Sequence, residues 1–337
     1  MVLTSDLEVA CEFSGPADGR PLVAVHGWPD DPHCWDGVLG PLHGAGHRVI
    51  RPWLRGFGAT RFRSPEKLRS GQIGALGRDL ADLLEALELH DVVLVGHDWG
   101  ARAAYVVGAL FPERVARIVA ISAGHVTNRP DAPLSWALTH AYWYEWLVAT
   151  ERGRRAMHED CRRFCRYLWE TWSPSWTFDD AAFEQAARAW DNDDWPQITV
   201  HAYLHRWGEA DGDPAYEEIE RRLLEPAPVL RPTLVIHGAE DADNLPETTE
   251  GKDDLFAGRY ERLVLDGVGH FPPREAPREI ADAVLRSAHE RQRPRASGRR
   301  HDGGSSNLAI EGVDRPAGAD RGHRPDRGRP VPHVRGS

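Results

Sequence analysis

The residues best suited to chemistry lie in a short glycine-flanked stretch in the first third of the chain. Val95-Gly96-His97-Asp98-Trp99-Gly100 follows an apolar run and precedes a segment rich in small residues. This order predicts a strand, a sharp turn and a helix, with Asp98 at the tip of the turn and glycines where no Cβ atom fits. A carboxylate at a helix N-terminus is stabilised in its ionised form and can attack a carbon electrophile. Taken alone, the pattern also fits an aspartate that caps a helix on an ordinary loop.

A second glycine-containing loop can supply the donors that such a nucleophile needs. His26-Gly27-Trp28-Pro29 follows the apolar run Leu22–Val25. A loop at this place can aim the backbone N–H of Trp28 into the site. Together with the N–H of Trp99, it would form an oxyanion hole for the tetrahedral intermediate made when water attacks an enzyme ester. A plain turn is the alternative for this loop.

Near the end of the predicted fold, the sequence offers a base and an acid to orient it. His270 lies on a glycine-flanked loop after the last apolar run, which suits a general base that activates water. A carboxylate must fix its tautomer, and the loop 237–243 after the run Leu234–Ile236 contains three acids. Asp241 has the spacing expected of the orienting acid, and Asp243 is the second candidate. The chain order is then nucleophile, acid, histidine.

These loops require a sheet that brings them to one edge. Short, continuously apolar runs are typical of strands buried on both faces of a parallel sheet, and they occur at Leu22–Val25, Arg48–Ile50, Val92–Val95, Ile118–Ile121, Leu234–Ile236 and Leu263–Leu265. Between them, apolar stripes at three- and four-residue steps predict helices, as at Leu76, Leu80, Leu83, Leu84 and Leu87. The fold class is therefore α/β, with a mostly parallel central sheet flanked by helices.

The alternation of strands and helices is interrupted once and ends before the C-terminus. The segment 133–228 is helical in character and rich in tryptophan, which predicts a helical cap inserted between strands of a core domain formed by 1–132 and 229–290. The cap should lie over the carboxyl edge of the sheet, where ligands bind in open α/β folds. The tail, 291–337, has almost no large apolar residue, so we expect it to be disordered and without a role.

Composition narrows the classes of function. The formal net charge of -11 argues against a nucleic-acid partner. The four cysteines, Cys11, Cys34, Cys161 and Cys165, form no C-x-x-C motif, and ordinary buried thiols are expected rather than a two-residue metal site at Cys161 and Cys165. Met1–Ala10 lacks a basic segment followed by an apolar run, so we expect no signal peptide, and no apolar stretch is long enough to span a membrane. We expect a cytoplasmic enzyme with no cofactor and no metal; a homodimer is left open.

The chain from about residue 5 to 290 resembles the α/β-hydrolase superfamily, and specifically its aspartate-nucleophile branch of epoxide hydrolases and haloalkane and haloacid dehalogenases. The resemblance rests on the motifs around Asp98, Trp28 and His270 and on Arg55-Gly56-Phe57-Gly58. Trp53 departs from the family pattern, which usually has Asp there, so the packing of this loop should differ. The resemblance implies an α/β-hydrolase fold and a covalent ester on Asp98 that His270 hydrolyses with water.

The nature of the electrophile depends on the cap. Epoxide hydrolases use two cap tyrosines to protonate the epoxide oxygen, and two stretches, Tyr142-Trp143-Tyr144-Glu145-Trp146 and 201–206, resemble their positions. The resemblance assigns this role to Tyr144 and Tyr203, with Tyr142 as the alternative to Tyr144. Simple packing within the cap is the other interpretation of each tyrosine. Epoxide hydrolysis of a small hydrophobic substrate is therefore the favoured function.

Two other functions are kept as alternatives. His26, Trp143 and Arg102 are expected to line the substrate pocket, and Arg102 matches one of two arginines by which similar haloacid dehalogenases hold a carboxylate. Trp99 replaces the other arginine, which weakens the dehalogenase reading. Trp143 and Tyr203 would serve a halide pocket. A ligand-binding protein that has lost catalysis is the third option, and the complete set of catalytic residues argues against it.

Overall fold

The structure is a computed structural model that describes residues 1–127, 134–225 and 228–289. The predicted tail, 291–337, lies outside the described residues, as do residues 133 and 226–227 at the ends of the predicted cap. The division into core, cap and tail therefore stays a prediction.

The strands of the described chain form two sheets. Their bounds are Val2–Leu3 (β1), Leu7–Val9 (β2), Cys11–Ser14 (β3), Arg20–Val25 (β4), His47–Pro52 (β5), Arg61–Phe62 (β6), Val92–His97 (β7), Val115–Ile121 (β8), Thr233–Gly238 (β9) and Tyr260–Leu265 (β10). The small sheet has the order β1-β2-β6, and the large one has the order β10-β9-β8-β7-β4-β5-β3. In the large sheet β3 pairs antiparallel with β5, whereas the other described neighbours are parallel.

The predicted mostly parallel sheet is confirmed. Each of the predicted apolar runs lies inside a strand of the large sheet, at β4, β5, β7, β8, β9 and β10. β7 is central, between β4 and β8, and all six of its residues are buried because helices cover both faces. The carboxyl ends of β4, β7, β9 and β10 meet at the same edge, where the loops singled out in the sequence begin.

Helices account for the segments between strands. They are Asp36–Gly44 (α1), Ile73–Ala86 (α2), Trp99–Leu110 (α3), Trp136–Ala141 (α4), Trp143–Val148 (α5), Glu151–Glu159 (α6), Cys161–Trp172 (α7), Asp180–Ala187 (α8), Trp195–Arg206 (α9), Glu217–Leu224 (α10), Pro272–Glu275 (α11) and Pro277–His289 (α12). Short 3₁₀ helices cover Pro32–Trp35, Pro112–Arg114, Arg188–Asp191, Pro214–Tyr216, Pro246–Thr249 and Asp253–Leu255. No helix of the described residues combines the length and the apolar character that a membrane span requires.

The predicted apolar stripe on α2 faces the interior. Leu76, Leu80, Leu83 and Leu84 are buried there, and α2 packs along α3. Burying each leucine stabilises the fold by about 1.5–3 kcal/mol relative to leaving it exposed. This packing holds α3, and so the turn that precedes it, against the sheet.

The segment between β8 and β9 is helical and comprises α4 to α10. Its tryptophans Trp169, Trp172, Trp190 and Trp195 are buried in the same apolar cluster as residues of the core strands. The helices therefore pack directly over the loops at the carboxyl edge of the sheet. This packing places aromatic side chains opposite the tip of the turn after β7.

Candidate active site

The turn after β7 has the strained geometry of a nucleophile elbow. Asp98 adopts φ 48° and ψ −111°, a region that non-glycine residues occupy at a cost of about 1–3 kcal/mol. A Cβ atom on Gly96 would lie 2.3 Å from the carbonyl oxygen of Gly100, and one on Gly100 would lie 2.4 Å from that of Val25. Asp98 occupies the N-cap position of α3, but its side chain makes no capping hydrogen bond to the helix.

Each carboxylate oxygen of Asp98 has its own donor. The backbone N–H of Trp28 donates to Oδ1 at 2.9 Å, and the side-chain amide of Asn244 donates to Oδ2 at a longer 3.4 Å. Trp28 thus occupies the place predicted for an oxyanion-hole donor. Trp99 is the first residue of α3, where backbone N–H groups have no partner within the helix. Its role as the second donor stays a prediction.

His270 and Asp241 lie together at the carboxyl ends of β10 and β9. Nδ1 of His270 is 3.1 Å from both oxygens of Asp241 and 3.9 Å from Oδ2 of Asp243. Nε2 has no hydrogen-bond partner among the residues that the structure describes. One oxygen of Asp98, one of Asp243 and a ring nitrogen of His270 lie within 4.8 Å of one another. Asp98 and the imidazole of His270 are therefore within reach of a common water molecule.

The charges around His270 determine its protonation. Burial disfavours the imidazolium and lowers the pKa of His270. The charges of Asp241, Asp243 and Asp98 outweigh this effect of burial and raise the pKa to about 10. The pKa of Asp241 is held well below its usual range: burial opposes this shift, and His270 and His237 overcome it. Burial raises the pKa of Asp243 well above its usual value. Asp241 thus favours the ionised form beside His270, and Asp243 favours the neutral form.

The two predicted cap tyrosines meet near Asp98. Tyr144 on α5 and Tyr203 on α9 are edge to face, with ring centroids 5.3 Å apart. Their rings lie 5.8 and 5.2 Å from that of Trp28, the residue whose N–H binds Asp98. Tyr203 also contacts the ring of Trp99 at 5.9 Å. The structure therefore brings together two phenols that are far apart in the sequence.

Burial keeps both phenols protonated. It raises the pKa of Tyr144 and of Tyr203 well above the usual value of 10, and Glu145 and Asp243 add to the shift. The hydroxyl of Tyr144 donates to Oε1 of Glu145 at 3.0 Å. Each tyrosine therefore carries a proton that it can donate at neutral pH.

Tyr142, the alternative to Tyr144, points elsewhere. Its hydroxyl donates to Oδ1 of Asn244 at 2.9 Å, beside the amide group that contacts Asp98. Arg102 donates to the same oxygen at 3.1 Å. Tyr142 therefore helps to hold Asn244, and Tyr144 is the phenol that pairs with Tyr203.

The three residues predicted to line the pocket have different positions. Nδ1 of His26 lies 2.8 Å from the carbonyl oxygen of Gly27, and Nε2 accepts from the N–H of Leu54, so neither nitrogen is left for a substrate. His26 thereby holds the loop that carries Trp53 and Leu54. Trp143 packs within the helical segment between β8 and β9, against Phe164 and Tyr167. Arg102 lines a cavity next to the site.

Sequence reasoning missed two residues of the site. Asn244 contacts Asp98, and nothing in the sequence distinguished it from other residues of the loop after β9. Glu145 is buried and accepts from Tyr144, from Nη1 of Arg206 at 2.6 Å and from the indole of Trp207 at 2.5 Å. Its position directly after Tyr144 was the available signal, because an acid in such an aromatic stretch needs a cationic partner when buried.

Possible metal ligands coincide with these groups. Within the described ranges, Asp98, Asp243 and His270 are the set of such residues whose ligand atoms converge. Nδ1 of His270 is already bound by Asp241, and Oδ1 of Asp98 by Trp28. Cys161 and Cys165 are free thiols, with Cys165 buried. The arrangement is thus suited to nucleophilic attack by Asp98, followed by attack of water near His270.

A nucleophile at a strand–turn–helix elbow, with an acid and a histidine on the loops after later strands, defines a hydrolase of the α/β type. A family model described as the alpha/beta hydrolase fold matches residues 20–277. The chain belongs to this family.

Several of its relatives are named for one activity. An epoxide hydrolase of Caballeronia sordidicola is 26% identical over 314 residues, which cover 83% of this chain and 89% of that protein. Epoxide hydrolase B of Mycobacterium tuberculosis is 35% identical over 280 residues, covering 75% of this chain and 69% of that protein. A crystal structure from Klebsiella pneumoniae, named as a candidate epoxide hydrolase, has a TM-score of 0.79 and 35% identity, and the match covers 85% of this chain and 96% of that one.

Proposed function

We propose that this hydrolase opens epoxides to diols through an ester on Asp98. The observation that carries the proposal is the pair of buried, protonated phenols, Tyr144 and Tyr203, on different helices above the elbow. An epoxide oxygen needs a proton donor when its C–O bond breaks, and a phenol supplies one. The names of the relatives support the same activity.

In the first step, an oxygen of Asp98 attacks an epoxide carbon. Oδ1 is held by the N–H of Trp28 at 2.9 Å, whereas Oδ2 has only the 3.4 Å contact with Asn244, so Oδ2 is the freer nucleophile. The carbon–oxygen bond of the ring breaks as the new ester bond forms. The oxygen that leaves the carbon takes a proton from Tyr144 or Tyr203, because an alkoxide is far more basic than a phenolate.

In the second step, water hydrolyses the ester. Esterification removes the negative charge of Asp98, one of the charges that raise the pKa of His270. The imidazole therefore becomes neutral more readily and accepts a proton from water through Nε2. The hydroxide oxygen bonds to the ester carbon, and the negative charge on Oδ1 is stabilised by the N–H of Trp28. When the intermediate collapses, the diol oxygen leaves with the proton from His270, and Asp98 is released as a carboxylic acid. Its proton returns to the phenolate formed in the first step, because a phenolate is more basic than a carboxylate, and both groups regain their starting state.

The test is to stop the reaction between the steps. His270→Gln cannot activate water, so it should gain the mass of one styrene oxide per chain and release little diol. Asp98→Ala should gain none, which makes it the matched control for modification elsewhere. Binding of styrene oxide to the unaltered protein with neither diol nor adduct would overturn the proposal in favour of a non-catalytic binding protein.

One observation favours dehalogenation as a second candidate. The indole N–H of Trp172 is buried without a partner among the described residues, and its ring lies 4.9 Å from His270 and 5.0 Å from Tyr144. An indole N–H is a suitable donor to a departing halide. Release of halide from haloalkanes or haloacids, with no diol from epoxides, would replace the first proposal by this one.

A further inference from the structure

The backbone of the loop that carries His270 is held at three successive residues. The N–H of Gly269 donates to Oε2 of Glu275 at 2.7 Å, and the N–H of Phe271 donates to Oε1 at 2.8 Å. Between them, the N–H of His270 donates to Oγ of Ser173 at 2.8 Å. Two side chains therefore accept the hydrogen bonds of these three backbone groups.

The two accepting side chains are also bonded to each other. The hydroxyl of Ser173 donates to Oε1 of Glu275 at 2.7 Å while it accepts from the N–H of His270. Glu275 ends α11, shortly after His270, whereas Ser173 follows α7 and lies 97 positions before His270. The serine hydroxyl thus joins the His270 loop to the helical segment between β8 and β9.

Close packing surrounds this hydroxyl. Ser173 is buried, and a Cβ atom on Gly269 would lie 2.4 Å from its Oγ and 2.5 Å from its Cα. Because Gly269 has no side chain, Ser173 can approach the backbone of the loop this closely. A buried N–H group that loses its acceptor is costly, so the loop should move to find another partner if the hydroxyl is removed.

The end of α7 also contacts the loop that carries Asp241. The carbonyl oxygen of Trp172 accepts from the N–H of Ala242 at 3.1 Å, and its ring lies 4.9 Å from that of His270. Trp172 and Ser173 therefore contact the backbones of both loops. The 3.1 Å contact between Nδ1 of His270 and Asp241 depends on how these two loops are placed.

We propose that Ser173 and Glu275 are positioning residues for His270, which keep its imidazole against Asp241 and its Nε2 towards the ester on Asp98. The inference rests on the proposed epoxide hydrolysis and adds two residues to its second step. Both side chains act through the backbone of the His270 loop. They place Nε2 where it can take a proton from the water that attacks the ester.

The first step does not use this arrangement. Before the ester forms, Asp98 is held by the N–H of Trp28 and the amide of Asn244, on the loops after β4 and β9. A change at Ser173 should therefore slow hydrolysis of the ester and leave its formation unaltered. A general loss of stability would affect both steps alike, so the ratio of the two rates distinguishes positioning from a purely structural role.

The test measures formation and hydrolysis of the ester separately, in single turnovers with styrene oxide. Ser173→Ala should slow hydrolysis about 10- to 100-fold, as expected when a buried N–H loses its acceptor, and should leave the rate of alkylation within about 2-fold. Ser173→Cys fills the same space with a much weaker hydrogen-bonding group, so it should also be slow. Unaltered hydrolysis by Ser173→Ala, equal slowing of both steps, or recovery by Ser173→Cys would overturn the proposal.

Glu275→Gln is the second variant. Its amide keeps the shape of the carboxyl group but replaces one of the two acceptor oxygens by a donor, so one of the groups that Glu275 binds loses its partner. Hydrolysis should again slow more than alkylation. If circular dichroism shows that Ser173→Ala does not fold, the two rates of Glu275→Gln decide, and equal slowing of both would overturn the proposal.

Ser135→Ala is the matched control. Ser135 belongs to the same helical segment, and its hydroxyl donates to Oε1 of Glu247 at 2.7 Å, a residue outside the His270 loop. Neither the rate of alkylation nor that of hydrolysis should change. A loss of hydrolysis as large as that of Ser173→Ala would show that any weakened contact of the helical segment has this effect, and would overturn the assignment to Ser173.

A measurement without substrate separates this outcome from failure of the proposed function. The nitrogen NMR signal of the His270 imidazole, assigned by its loss in His270→Gln, reports its protonation. Contact with Asp241 raises the pKa of His270, so Ser173→Ala should lower the pH at which this signal titrates. Asp243, Asp98 and His97 also face the imidazole and are the same in both proteins. If no epoxide is converted, epoxide hydrolysis fails and this titration decides: a lower midpoint would support the positioning role, and an unchanged midpoint would overturn it.

Discussion

Both carboxylate oxygens of Asp241 lie 3.1 Å from Nδ1 of His270. This arrangement fixes the proton on Nδ1 and leaves Nε2 for water. Asp241→Asn would present an amide that can stabilise the wrong tautomer, so we expect the rate of ester hydrolysis to fall roughly 10³- to 10⁴-fold. Single-turnover kinetics with styrene oxide measure this step as the decay of the alkylated protein.

Asp243→Asn is the control for that change. Asp243 is 3.9 Å from Nδ1, and burial favours its neutral form, which an amide resembles in shape and charge. Its effect on ester hydrolysis should be smaller than about 10-fold. A larger loss from Asp243→Asn than from Asp241→Asn would mean that Asp243, and not Asp241, orients His270.

Asn244 is expected to position the nucleophile. It contacts Oδ2 of Asp98 and is itself held by Tyr142 and Arg102. Asn244→Ala should slow formation of the ester by about 10-fold, because the carboxylate loses one of its two supports. The measurement is the rate of alkylation in the His270→Gln background, where hydrolysis does not interfere.

Tyr142→Phe removes one hydrogen bond to Asn244 and leaves the amide beside Asp98. We expect it to slow alkylation less than Asn244→Ala does. If the Asn244→Ala variant is alkylated as fast as the protein with Asn244, the contact between Asn244 and Asp98 does not position the carboxylate and serves only packing.

The paired phenols give a third prediction. Tyr144→Phe with Tyr203→Phe removes both proton donors and preserves the ring contacts with Trp28. Diol formation should fall by at least about 10²-fold, the usual contribution of a general acid. The catalytic rate of each single variant shows how far one phenol replaces the other. Undiminished turnover by the double variant would exclude the tyrosines as proton donors.

The fold and part of the site could be predicted because local patterns determine them. Buried parallel strands are continuously apolar, so the six runs located six strands, and Gly96 and Gly100 indicated the turn that carries Asp98. Positions after predicted strands then brought His270 and Asp241 to the same edge. These are consequences of backbone geometry, which the sequence encodes within a few residues.

The remaining contacts depend on tertiary packing. The direction of the Asn244 side chain is set by Tyr142, more than a hundred positions earlier in the chain, and by Arg102 on α3. Sequence spacing likewise did not show that both nitrogens of His26 are used by the backbone. The preference for Tyr144 over Tyr142 rested on resemblance alone. The two residues are only two positions apart at the start of α5, and the direction of each side chain depends on how that helix packs.

The pKa of His270 predicts how stability depends on pH. The folded protein raises this pKa from 6.5 to about 10. The stabilisation from the imidazolium and its carboxylates is therefore fully present below pH 6.5 and is lost as the pH rises towards 10. His270→Gln has no such group. The free energy of unfolding of the unaltered protein should thus exceed that of the variant most at low pH, and the difference should shrink between these values. Urea unfolding of both proteins at pH 6, 8 and 10 measures the difference in the free energy of unfolding. Other groups titrate in both proteins, so their contributions cancel in this difference. A difference that stays constant over this range would mean that His270 has the same pKa in the folded and the unfolded protein, and the water-activating step would then not require the loss of charge on Asp98.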